Sequence, residues 1–144
     1  TSDDDDDDEY RKPRILGVDD ERLFLLEITI HCCDVANPCK PLYLAKQWAN
    51  RFLLEAFAQG DAERNIGLPV SAGMDRYTTK LPTSQIGFIT FIVKRLFELY
   101  AQVVTKADVA VNEMLSNEKY WILEKEKMNT KKELTSPNLK TINE

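Results

Sequence analysis

Histidine is nearly missing from this sequence, with His31 the single instance in 144 residues. A site built from several imidazoles therefore needs donors that this chain does not contain. Cysteine is scarce as well. Cys32, Cys33 and Cys39 fall within eight positions and leave no even framework for a small secreted fold, which points to a reducing, intracellular and cytoplasmic setting. No apolar run is long enough to span a bilayer, and the first residues are acidic where a signal peptide is basic and then apolar. A basic stripe is also absent. Lysines and arginines are scattered among acids until the tail, where Lys125, Lys127, Lys131 and Lys132 alternate with Glu124, Glu126 and Glu133, so no nucleic-acid partner is expected.

What remains is a one-domain length of ordinary apolar content. The formal charge of −5 comes from one place, because Asp3 to Asp8 and Glu9 carry more than that between them and the rest of the chain is close to neutral. Residues 1–20 show no apolar periodicity and are expected to be a disordered acidic segment. No internal repeat and no alternating strand pattern follow, which leaves an all-α class.

Four helices are expected. Leu23, Leu26, Ile30 and Cys33 make a stripe over Arg22 to Asp34, and Pro38 stops it. Leu42, Ala45, Trp48, Ala49, Phe52, Leu53 and Ala56 share a face from Leu42 to Gln59, with Gly60 as the C-terminal breaker. After an irregular connector containing Gly67, Pro69, Gly73 and Pro82, Thr83 or Ser84 can cap a central helix. Its wide apolar face carries Ile86, Ile89, Ile92, Val93, Leu96, Leu99, Tyr100 and Val103. A more charged helix from Lys106 to Met128 offers Val109, Met114, Leu115, Trp121 and Ile122, and 129–144 has the composition of a flexible tail.

Two groups could carry chemistry. Asp34 ends the first apolar stripe with His31 one turn before it, a spacing that suits a metal site, a hydrogen-bonded pair or a helix-end cap. The three cysteines nearby read as core-packing thiols, since adjacent cysteines face different sides of a helix and no second pair closes a tetrahedral shell. Gln85 and Phe88 stand one turn apart. A carboxamide can present a donor and an acceptor to a base edge while a ring stacks on its face, although the same pair also occurs as a polar residue beside a core phenylalanine.

The stretch His31-Cys32-Cys33-Asp34-Val35-Ala36-Asn37-Pro38 resembles the His-x-x-Asp-[Ile/Leu/Val]-x-Asn-Pro segment of class I cyclic-nucleotide phosphodiesterases. Three further matches follow in that family's order. They are Gln47-Trp48 with Arg51, then Phe57-x-Gln59-Gly60-Asp61-x-Glu63-Arg64 with Gly67-Leu68-Pro69 and Met74-Asp75-Arg76, then Ser84-Gln85-Ile86-Gly87-Phe88-Ile89. The similarity runs from about Leu23 to Val104.

The resemblance implies the C-terminal helical part of an HD-type, multi-helix phosphodiesterase catalytic domain over residues 21–128. It implies hydrolysis of cAMP and/or cGMP with two divalent ions, zinc and magnesium. Asp34 would be a carboxylate ligand of the first metal, Gln85 would hydrogen-bond the base, Phe88 and Phe52 would sandwich its ring, and Asn37 would line the base end. The family's other ligands and its proton-donating histidine sit in His-x-x-x-His and His-Asp motifs that this chain lacks, so no catalytic residue is retained and the chain alone is expected to be inactive and not to bind metal tightly. Arg95 stands where the family usually has proline, which predicts a straighter central helix. The alternative is a non-catalytic helical module of phosphodiesterase ancestry. Either way, self-association through exposed apolar faces is expected.

Overall fold

The computed structural model describes residues 19–134, and the expected disorder of the first eighteen residues and the last part of the tail lie outside it. Among the described residues every regular element is helical. The chain runs α1 (Asp19–Asp34), a 3-10 turn (Asn37–Cys39), α2 (Leu42–Asn65) and α3 (Leu81–Phe88). A π-helical stretch (Ile89–Val93) then leads into α4 (Lys94–Val103), a second 3-10 turn (Thr105–Ala107) and α5 (Asp108–Leu134). Asp19, Asp20 and Glu21 fill the first turn of α1, where carboxylates meet the positive end of the helix dipole.

Helix ends differ from the sequence reading at several points, the first being α1, which starts at Asp19 within the segment expected to be disordered. Gly60 does not end α2, which runs on to Asn65. The stop comes from Gly67 at φ 75°, where the Gly67 N–H donates to Arg64 O at 3.1 Å and the Leu68 N–H to Glu63 O at 2.9 Å. That reciprocal pair, closed by a residue in the left-handed region, is a Schellman ending. Nor do Thr83 or Ser84 cap the central helix, because it starts at Leu81 with Pro82 in the first turn, where a missing N–H costs nothing. The last helix likewise continues through Leu134 rather than ending at Met128.

α3, the π stretch and α4 form one continuous rod against which α5, α2 and α1 pack, and the first 3-10 turn lies between α2 and α5. Along it Gln85, Ile89, Val93 and Phe97 are buried, each four positions from the last, with Pro82 buried near its start. In a regular α-helix four-residue steps drift sideways by about 40° each. The wider π turn absorbs that drift and keeps the buried line straight. Arg95 lies just beyond this π stretch, which re-winds the helix at Ile89–Val93.

Cys32, Cys39, Ala49, Ile89, Val93, Phe97, Met114 and Trp121 form the core. Full burial of a side chain such as Ile89 or Val93 contributes about 1.5–3 kcal/mol each. On α1 the buried line passes through Cys32, with Leu25, Ile28 and Thr29 half-buried, and the Thr29 and Tyr100 hydroxyls meet at 3.0 Å. The stripe picked out by periodicity, Leu23, Leu26, Ile30 and Cys33, faces solvent instead. α1 is thus apolar on two sides, and this chain covers one of them. Ile92, Leu99, Val109 and Ile122, expected in the cores of their helices, are exposed as well.

Candidate nucleotide and metal site

The expected site residues sit on four elements. Asp34 is the last residue of α1, Asn37 opens the 3-10 turn, Phe52 lies in mid-α2, and Gln85 and Phe88 lie on α3. Pro38 ends the α1 path as expected, because its ring fixes φ and it lacks an N–H, and it is buried with Cys39 beneath the turn.

The residues expected to recognise a base come together in part. The Phe52 and Phe88 rings stack near-parallel, with an interplanar angle of 16° and centroids 6.5 Å apart. A planar base held between two rings needs two carbon–carbon gaps, about 7 Å in all. The two rings lie within the ordinary range of an aromatic pair. Gln85, one turn before Phe88, is only 3% exposed. It belongs to the buried line of the rod, so packing restricts where its amide can point. Asn37 is half-buried, and its side-chain oxygen is shut off from solvent without a hydrogen-bond partner. Such an orphan is uncommon, and Trp121 Nε1 in the core is a second one.

The metal side is different. Asp34 and His31, read as a metal site, a hydrogen-bonded pair or a helix-end cap, are both exposed. Water supplies what burial would have denied. Among the described residues no group of three or more His, Cys, Asp or Glu side chains is arranged to hold a metal ion. With His31 the lone imidazole of the chain, the residues present do not fit a zinc or magnesium shell.

Two of the three cysteines pack as expected. Burial, with Cys33 alongside, raises the Cys32 thiol. Burial pushes Cys39 up to about 12, with Cys32 adding to the rise and Lys40 opposing it. Cys33 departs from the expectation and is exposed.

The connector before α3 is tied to the end of α2 by a polar network. The Glu63 carboxylate accepts from Gln59 Nε2 at 2.9 Å, the Ser71 N–H at 2.7 Å and the Ser71 hydroxyl at 2.8 Å. These bonds, Gln59 foremost, hold its pKa below the usual carboxylate range. Asp75 is lowered by the Tyr77 N–H at 2.9 Å and by Arg64, whose Nη2 lies 3.0 Å away. Asp61 accepts from Arg64 at 3.1 Å and from Arg76, and Arg64 and Arg76 also cover the Tyr77 and Phe57 rings. Gly60 lets the connector close in, because a Cβ there would lie 2.1 Å from Met74 O.

Periodicity missed Asn117. It lies on the buried face of α5 three residues after Met114 and four before Trp121, and it is 1% exposed. Its amide donates to Pro38 O and Lys40 O, both at 2.8 Å. The position within the Met114–Trp121 stripe was the available signal.

Residues 5–114 match the 3'5'-cyclic nucleotide phosphodiesterase family. The chain belongs to that family. A cyclic-nucleotide phosphodiesterase of Mus musculus, the 3',5'-cyclic-AMP phosphodiesterase 4C, is 38% identical over 101 residues, which is 70% of this chain and 15% of that protein. The 3',5'-cyclic-AMP phosphodiesterase isoform F of Drosophila melanogaster is 43% identical over 84 residues, 58% of this chain and 13% of that protein. The solved structure of LmjPDEB1 in complex with IBMX superposes with a TM-score of 0.69 at 31% identity, over 74% of this chain and 33% of that one. This phosphodiesterase chain therefore spans less than a fifth of those two curated relatives, and its all-α, multi-helix fold matches the corresponding part of the LmjPDEB1 structure.

Proposed function

We propose that this chain supplies the base-recognition side of a catalytic domain that hydrolyses 3',5'-cyclic nucleotides to 5'-monophosphates in signal transduction. Gln85 hydrogen-bonds the purine edge, Phe52 and Phe88 hold its two faces, and Asn37 lines the base end. The reading is supported by one observation, the near-parallel Phe52 and Phe88 rings with buried Gln85 one turn before Phe88. The orphan Asn37 oxygen adds support, since a nucleotide donor would satisfy it.

Asp34, exposed at the end of α1, offers one carboxylate to a zinc and magnesium site whose other donors lie outside these residues. The chemistry at phosphorus belongs to those donors, and the chain alone is inactive. cAMP is the first substrate to test, because the named relatives are cyclic-AMP phosphodiesterases. A reducing cytoplasmic compartment suits the three free thiols. A second reading, a non-catalytic helical module of the same ancestry, is favoured by the uncovered apolar side of α1, where Ile30 is 71% exposed.

The test is a fusion of this full chain, in register, behind the preceding part of the LmjPDEB1 catalytic chain. The fusion is expected to hydrolyse cAMP, and Gln85→Ala, which removes up to two base hydrogen bonds, should raise KM roughly 5- to 100-fold. A KM that is unchanged in Gln85→Ala and in Phe88→Ala would remove the base-recognition reading.

A further inference from the structure

We infer that Asn117 is a positioning residue of the nucleotide pocket, one that clamps the Asn37–Lys40 turn onto α5 and so sets the place of the Asn37 side chain. The inference rests on the proposed role of Asn37 at the base end.

An asparagine in mid-helix is a poor helix former, and a buried amide is costly unless its hydrogen bonds are made. A packed leucine would serve α5 better if packing were all that mattered. Instead the Asn117 amide nitrogen reaches two backbone carbonyls, Pro38 O and Lys40 O, each at 2.8 Å. Only nitrogen can sit between two carbonyl oxygens, so the orientation of the amide follows from its neighbours.

The turn needs an outside hold. Within it the Cys39 N–H donates to Ala36 O at 2.9 Å, but the next bond, Lys40 N–H to Asn37 O, is stretched to 3.4 Å. Asn37 cannot anchor itself through its side-chain oxygen, because that atom is buried without a partner. Its placement is inherited from the backbone that Asn117 grips. The next residue on α5, Glu118, accepts from Lys94 Nζ at 2.9 Å and from Thr90 Oγ1 at 3.4 Å. Consecutive residues of α5 thereby bind the turn bearing Asn37 and the rod bearing Gln85 and Phe88.

Two readouts separate positioning from bulk stability. In the full chain, Asn117→Leu should speed exchange of the Cys39 and Lys40 amides by roughly tenfold or more relative to wild type, while Val93 and Phe97 amides on the rod stay within about twofold. In the fusion described above, Asn117→Leu should raise KM for cAMP about tenfold with kcat nearly unchanged, and should add little in an Asn37→Ala background. If Asn117→Leu fails to fold, Asn117→Ser, which keeps one donor, is expected to show the same pattern at smaller size. Turn amides that do not respond, or amides that all speed up together with KM unchanged, would overturn the inference. If Gln85→Ala raises KM while Asn117 and Asn37 effects simply add, the inference falls and the pocket reading stands. If Gln85→Ala and Phe88→Ala both leave KM unchanged, the pocket reading falls and takes this inference with it.

Discussion

At the residue scale, several side chains matter for what they prevent or hold rather than for propensity. Gly60 sits mid-helix because the connector crosses it, and any Cβ would collide with Met74 O. Gly60→Ala is expected to destabilise the chain by about 1–3 kcal/mol in urea denaturation, despite alanine's better helix propensity. An unchanged midpoint would mean that the connector shifts freely. The thiols divide the same way. Cys33 should react promptly with a maleimide at neutral pH, whereas Cys39, held protonated at a pKa of about 12 and buried, should react only on unfolding. Rapid labelling of Cys39 in the native chain would contradict the packing described for the turn.

At the element scale, the four expected helices all exist, the central one as α3, the π stretch and α4. Boundaries were less legible. Gly60 and Gly67 carry the same signal in sequence, and only tertiary contact tells a close approach from a Schellman stop. The π stretch has no local signature, and the buried line of Gln85, Ile89, Val93 and Phe97 differs from the face that periodicity picked out. Gln85 and Phe88 could be picked from the sequence as chemistry, and Phe52 entered only through the family resemblance. The exposure of Asp34 could not be read, since a stripe does not reveal which side of α1 this chain covers.

The connector adds a pH prediction. Glu63 and Asp75 both have lowered pKa values, so the stabilisation they give the connector is fully present above ordinary carboxylate values and is lost as pH falls through the lowered ones. The Ser71 and Tyr77 amide resonances, which report on the two carboxylates, should titrate in acid with midpoints below the ordinary values of 4.5 and 3.8. Midpoints at those ordinary values would mean that the network does not hold in solution.

At the scale of the whole molecule, the chain has more apolar surface than it covers. Leu23, Leu26 and Ile30 on α1 and Phe91 on the π stretch, the last 84% exposed, would ordinarily meet other helices. Light scattering on the isolated chain is expected to show concentration-dependent self-association, and a strict monomer that binds no apolar dye would argue against this. A helix apolar on two sides suits the interior of a larger assembly, in keeping with a chain that matches 33% of the LmjPDEB1 chain. The proposed chemistry has the same limit, because among the described residues no cluster is arranged to hold a metal ion and one histidine cannot supply a zinc shell. The most direct measurement is hydrolysis of cAMP and cGMP by the purified chain with zinc and magnesium supplied, beside the fusion and a Gln85→Ala control. The account predicts no turnover from the chain and turnover from the fusion; turnover by the chain itself, lost in Gln85→Ala, would contradict it.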